Sequence, residues 1–220
     1  MESTNPDVQH FLGIPWCAAL LSEPGIVRDT ASSRFPKPST EDQLFSTTLH
    51  TEDTIAAYLM FYKRPSCSSA SSTAAPSASS SSSSSTTTTS PTSPTSTIAA
   101  DDEGGTLVRE LRAFLTLRAG VNGYPNVSHG GIVATVLDET IGMIFLVNKT
   151  EGLMSAESYM TAYLNVTYVR PVETPQTVLC VVEVVRVKGR KWWIQGRIED
   201  REGRVLAKAE SLFVRLKEKL

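Results

Sequence analysis

Hydrophobic and polar positions along the chain switch period several times, and each switch marks an element. Residues 6–21 and 40–49 carry short helical patterns; Ser39 or Thr40 can cap the second, with Glu41 and Asp42 placed to favour its dipole. Residues 54–62 and 107–117 read as strands. A turn rich in Gly, Pro and Asn follows over 119–126, and then an apolar run from Gly131 to Val147 that is too long for a buried strand and is predicted to be helical. Four strands close the pattern at about 161–169, 177–187, 191–199 and 204–216, rich in Val, Ile, Thr, Tyr and Trp. The connections Lys188-Gly189-Arg190 and Asp200-Arg201-Glu202-Gly203 suit tight antiparallel turns. Trp192 and Trp193 must then point to opposite faces of their strand, one into the core and the other to an interface or channel.

Between the first two strands lies residues 66–100, made only of Ser, Thr, Ala and Pro apart from Cys67 and Ile98. Such a stretch cannot bury enough apolar surface to offset its ordering entropy, so it is expected to be a disordered insert. Neither flank could build a core alone, so both belong to one fold. The expected division is an N-terminal helical extension over 1–50 and one interrupted domain over 51–220.

The predicted central helix draws the chemistry. On a wheel of 100° per residue, apolar side chains cover most of the circumference, which predicts a helix buried nearly all round. Yet it holds two adjacent acids, Asp138 and Glu139. Around Asp138 the neighbours Ala134, Thr135 and Gly142 are small, with Phe145 alongside, so a ligand has room to reach the carboxylate. A carboxylate in a buried helix is costly unless it is paired, hydrated or functional. The helix begins at His129-Gly130-Gly131. Its first N–H groups lack intrahelical acceptors, and glycines leave them open to a polarised carbonyl oxygen. From the residues alone two readings stand: an electrophile-binding helix end with a base further along, or a Gly-Gly turn breaking into a helix whose Asp138 is hydrogen-bonded in the core.

The segments HGGIVATVLDETIG and TAYLNVTYVRP resemble the hotdog-fold thioesterases of the phenylacetate-degradation (PaaI-like) type, within the 4-hydroxybenzoyl-CoA thioesterase superfamily. They are especially similar to the carboxyl-terminal-modulator type of acyl-CoA thioesterase, with a fungal-looking N-terminus around Ile14-Pro15-Trp16-Cys17. The resemblance covers about residues 54–65 and 105–218. It implies an α+β hotdog, an antiparallel sheet wrapped around one long central helix. It implies hydrolysis of an acyl-CoA or related thioester, with Asp138 as general base or nucleophile, the N–H of Gly130 polarising the carbonyl, His129 supporting that end, and Thr161 orienting the water or the carboxylate. Tyr168, Arg170 and Pro171 close the matching strand. Gly131, Asn126, Arg170, Lys188 and Arg190 are the candidate substrate contacts, the cations for the phosphates of coenzyme A. Some relatives carry an Asn six residues before the His; Gly123 stands there, with Asn122 and Asn126 nearby. The alternative is a non-catalytic hotdog that binds acyl-CoA or a protein partner.

Nine residues of helix separate His129 from Asp138, a rise of roughly 13 Å at ~1.5 Å per residue. One helix cannot bring its own start and its own Asp138 to one carbonyl, which points to a homodimer with two such helices antiparallel; the resemblance implies a dimer or a dimer of dimers.

Composition narrows the alternatives. The net charge of −2 argues against a nucleic-acid binder. The apolar stretches look too short to span a bilayer. There is no Gly-x-Ser-x-Gly elbow, and with three histidines, two of them the N-terminal His10 and His50, no metal site is expected. No cofactor is expected either. Three widely spaced cysteines suggest no disulfide framework, and the start of the chain, with Glu2, Asp7 and no Arg, resembles neither a signal nor a transit peptide; a cytoplasmic location is expected.

Overall fold

The computed structural model describes residues 5–65 and 107–217, so the Ser/Thr-rich stretch lies outside the described residues. Seven antiparallel strands form one sheet. They are β1 (Ile26–Asp29), β2 (Ile55–Lys63), β3 (Glu110–Leu117), β6 (Tyr159–Tyr168), β7 (Gln176–Lys188), β8 (Lys191–Glu199) and β9 (Val205–Arg215), in the spatial order β1-β2-β3-β7-β8-β9-β6. A small hairpin, β4 (Asn122–Tyr124) and β5 (Val127–Ser128), stands apart and leads into the long helix α3 (Gly130–Thr150). The sheet curls around α3, which touches β3, β6, β7, β8 and β9. This is the hotdog architecture.

The strands form because alternate residues have an apolar face to cover. Tyr58, Met60, Leu111, Leu115, Val178, Val182, Ile194 and Phe213 all lie in one core, together with Val133, Leu137, Ile141, Ile144 and Phe145 from α3. At the far end of the helix the Phe145 ring stacks on Tyr159 at 4.3 Å and meets Trp192 at 5.1 Å. Trp192 is thus the core member of the tryptophan pair. Trp193 is half-buried on the other face, with the Arg186 guanidinium 5.1 Å from its ring.

The outer face has a second, smaller core. Leu59, Phe61, Phe114 and Leu179 pack there under Phe11, Cys17 and Leu21 of two N-terminal helices, α1 (Pro6–Leu12) and α2 (Pro15–Leu21). The single helical segment expected over 6–21 is therefore two. Each opens on a proline, which suits a first turn and is hostile to an interior, so Pro15 divides them. Asn5 caps the first, its Oδ1 accepting the N–H of Asp7 at 3.0 Å. The helix expected over 40–49 is a single π-helical turn, Leu44–Thr48; the Ser39 hydroxyl instead takes the N–H of Glu41, and Asp42 holds a left-handed φ of 60°. The short edge strand β1 is not apparent in the sequence pattern.

Two expectations about α3 need correction. It runs 21 residues and is long and apolar enough, by length and composition, to cross a membrane, contrary to the sequence reading. Here its apolar face is spent on the sheet. Nor is it buried all round. Gly131, Thr135, Asp138, Gly142, Leu146 and Lys149, spaced three or four apart, form a stripe that is half-buried or exposed. The sheet covers about half the circumference, so the apolar residues at the margin are packed only in part. Asp138 sits on the open stripe rather than in the core.

Candidate active site

The start of α3 is built by the hairpin before it. Pro125 and Asn126 form a two-residue connection between the paired Tyr124 and Val127, with Asn126 at φ 57°, a conformation Asn tolerates. The Asn126 carbonyl accepts the N–H of Thr174 at 2.9 Å, and the N–H of Ser128 reaches the Val172 carbonyl at 2.8 Å. The hairpin is thereby tied to the chain between β6 and β7. Asn126, expected among the substrate contacts, serves here as a turn residue.

His129 is the N-cap of α3. Its N–H donates to the Val121 carbonyl at 2.8 Å, and its Nδ1 accepts the N–H of Gly131 at 2.9 Å. An accepting Nδ1 leaves the proton of a neutral imidazole on Nε2. The cap also settles which amide the helix presents. The N–H of Gly131 is engaged by the ring, so the helix end faces outward through Gly130. The Gly130 carbonyl accepts the Tyr168 hydroxyl at 2.9 Å, which fixes the first peptide from the side of β6.

Gly123 explains how the ring of His129 fits. A Cβ built at position 123 would lie 2.6 Å from His129 Cδ2 and 2.9 Å from its Cα, closer than real contacts allow. The chain has a glycine there because the histidine ring occupies the space. Gly123→Ala is expected to displace His129, to lower turnover about tenfold, and to lower the melting temperature as well, because the clash includes the His129 backbone and disturbs the cap of α3. A melting curve and a turnover assay on the same sample check this.

Further along, Asp138 Oδ1 accepts the Thr161 hydroxyl at 3.0 Å, the pair lying at the exposed margin between α3 and β6. Glu139 points the other way. It lies beside Ser33, and its Oε1 is buried with no hydrogen-bond partner among the described residues. Burial pushes its carboxyl above the usual range, and the charges of Asp42 and Asp138 add to this against Ser33 and Lys37. A raised folded-state pKa means that the stability it contributes is present below the ordinary glutamate range and is lost as pH rises through the folded value. Glu139→Gln is accordingly expected to melt higher than the parent at pH 7, the gap closing as pH falls towards 4. The same calorimetric series with no pH-dependent gap would contradict it.

The candidate cations do not come together in one chain. Arg170 follows β6 and donates through Nη1 to the Val205 carbonyl at 2.7 Å. Lys188 and Arg190 sit on the β7–β8 turn, where Arg190 Nη1 donates to the Arg215 carbonyl at 3.1 Å. Tyr168 pairs with Ala207 while Tyr159 pairs with Arg215, so the two groups lie at opposite ends of β9, about 25 Å apart at ~3.3 Å per residue. Arg170 belongs to the His129 end and the other two to the far end.

Cysteine can be set aside among the described residues. Cys17 and Cys180 are buried free thiols, each pushed up to about 12 by burial, so neither supplies a thiolate near neutral pH. Among the described residues no group of three or more His, Cys, Asp or Glu side chains is placed to hold a metal ion.

A sheet wound on one helix, with a capped Gly-Gly start and an acid two turns on, is a hotdog domain. Residues 126–207 match the model of the thioesterase superfamily. Acyl-coenzyme A thioesterase THEM4 of Rattus norvegicus is 31% identical over 97 residues, which are 44% of this chain and 39% of the relative. Verlamelin biosynthesis protein B of a Lecanicillium species is 27% identical over 124 residues, 46% of this chain and 54% of that protein. The chain thus spans about half, or less, of the length of these curated relatives. A Bacillus halodurans protein whose crystal structure contains CoA is 28% identical, matching 48% of this chain and 66% of its own at a TM-score of 0.42.

Proposed function

We propose that the protein hydrolyses acyl thioesters of the acyl-CoA kind to a free acid and a thiol. The observation that carries this is the pair of features on α3: an open helix start at Gly130, fixed by His129 and Tyr168, and Asp138 on the open stripe with Thr161 bonded to it. The superfamily match and the name of the rat relative support the same reaction class.

In the reaction proposed, the thioester carbonyl oxygen accepts the Gly130 N–H, where the helix dipole favours the charge that develops on it. Asp138 takes a proton from water as the water oxygen bonds to the carbonyl carbon. The C–S bond then breaks, and the leaving thiolate takes up the proton that Asp138 received, which restores the carboxylate. Thr161 donates to one carboxylate oxygen and leaves the other for water.

From Gly130 to Asp138 the helix rises about 12 Å, so these roles fall on two copies of the chain. The site is completed by a second α3 running antiparallel, its start opposite Asp138. The edge strand β6 supports such a dimer. Among the described residues it pairs only with β9, and it exposes Met160 (59%), Tyr163 (40%) and Tyr168 (55%), apolar surface beside that strand edge. A panel of acyl-CoA substrates of graded chain length, assayed by release of free thiol, tests the reaction. Catalytic thiol release from at least one member is expected; binding without turnover across the panel would make this a non-catalytic acyl-CoA module.

A further inference from the structure

Beyond the β6 edge, three of the exposed large apolar side chains lie on two separate surfaces. Tyr124, 74% exposed, stands with the exposed Pro125 on the β4–β5 hairpin that leads into His129. Phe35 (57%), with the exposed Pro36, and Leu44 (48%) stand on the loop between β1 and β2. That loop is anchored. Arg34 is buried and donates to the Leu49 carbonyl at 3.5 Å and the Ile55 carbonyl at 3.0 Å. Phe45 and Leu49 belong to the main core. Lys37 pairs with Glu41 at 3.1 Å and with Asp42, which draws the arms carrying Phe35 and Leu44 together. A fixed backbone therefore holds these apolar side chains out in water.

The loop meets α3 at one level: Ser33 and Asp42 both lie near the Glu139 carboxyl. With Gly130 of one chain opposite Asp138 of another, two antiparallel helices of equal rise are matched about residue 134. His129 of the first then stands opposite Glu139 of the second. The hairpin precedes His129, so it comes alongside the second chain's α3 at and just beyond Glu139, the level at which that chain's loop sits. We propose that Phe35, Pro36 and Leu44 of one chain receive Tyr124 and Pro125 of a second copy. This contact rests on the two-chain reading above and adds the surface that steadies the start of α3, because the docked hairpin carries His129. A chain cannot make it with itself, since its own Gly130 and Glu139 are about 13 Å apart along the helix and the hairpin lies further back.

The two-fold axis makes the contact twice. A strand edge with three exposed side chains is small beside the roughly 800 Å² that each partner buries in a stable interface, and the paired hairpin contacts enlarge it with apolar area. Tyrosine suits the role: its ring is rigid and largely apolar, and its hydroxyl can stay at a wet rim. All five residues precede the matched residues 126–207, so this surface comes from the part of the chain outside the family match.

The dimer dissociation constant of the full-length protein, measured by sedimentation over a concentration series, tests the contact. Tyr124→Ala and Phe35→Ala are each expected to weaken the dimer about tenfold, and the double variant also about tenfold rather than a hundredfold, because both remove one shared contact. Both side chains are exposed in the single chain, so neither substitution opens a core, and circular dichroism checks the fold. Activity of either variant is expected to be lost on dilution at about tenfold higher protein concentration than that of the parent. In a Cys67→Ser background, the double variant Phe35→Cys/Tyr124→Cys treated with a short bismaleimide should give a covalent dimer, and each single variant should not. An unchanged dissociation constant, independent losses that multiply in the double variant, a link formed only within one chain, or a monomeric parent would overturn the contact. The two readings fail separately. A dimer that depends jointly on Tyr124 and Phe35 but turns over no thioester keeps the contact and removes the hydrolase, whereas turnover by a dimer indifferent to both residues does the reverse.

Discussion

Asp138→Asn is expected to lower kcat by about a hundredfold or more, the usual loss when a general base is removed. The substitution is close to isosteric, and Asp138 lies on the open stripe of α3, so the folded structure has little reason to change. The Thr161 hydroxyl, 3.0 Å from Oδ1, can still donate to an amide oxygen in that place. What the amide cannot do is accept a proton from water. KM is expected to move much less than kcat, because the carbonyl is held at a different helix end. The neighbouring acid supplies the control. Glu139 is turned towards Ser33 and away from the stripe, so Glu139→Gln should retain most of the turnover while altering the melting temperature. Full activity in Asp138→Asn, or a larger loss in Glu139→Gln, would reverse the assignment of base and neighbour. A nucleophilic role would also remove turnover in Asp138→Asn. Label found in the Asp138 carboxylate after a single turnover in oxygen-18 water, which requires water to attack the aspartyl carbon of an acyl anhydride, would show the nucleophilic role.

Much of this arrangement is legible in the chain. The six longer strands and the central helix announce themselves by period, because each has one face or stripe to bury. The chemistry at the helix start is legible for a different reason: Gly-Gly after His is informative where no side chain is wanted. The missed features are those that depend on partners distant in sequence. No local pattern says that Gly123 leaves space for the His129 ring, since the clash that excludes a Cβ there comes from across the small hairpin. The Tyr168 hydroxyl reaches Gly130 from a strand 38 residues on, and only the sheet order brings it there. The wheel led to a wrong burial for Asp138, because an apolar circumference does not say how much of it the sheet can cover. Charge alone groups Arg170 with Lys188 and Arg190, and the register separates them by the length of β9.

Mixing two inactive chains is expected to restore activity. Gly130→Val removes the carbonyl site: even a Cβ at this position comes within 3.4 Å of the Tyr168 ring, and a branched side chain there covers the N–H and presses on that ring. Asp138→Asn removes the base. Alone, each variant should turn over at about 1% of the parent or less. In a dimer with antiparallel α3 helices, each site takes its helix start from one chain and its carboxylate from the other. A heterodimer of the two variants therefore has one site carrying both lesions and one carrying neither. If equal amounts are denatured together and refolded, random pairing makes about half the dimers mixed, and half of their sites are intact, so about a quarter of the parent activity should return. Were the site contained within a single chain, every chain in the mixture would still carry one lesion, and no pairing could restore it. The result thus separates the two architectures by more than tenfold in rate. It is read against size-exclusion chromatography of the mixture, since a mixed dimer that forms and stays inactive would place the carbonyl site and Asp138 in the same chain. Activity of the parent that persists unchanged as it is diluted into monomers would do the same.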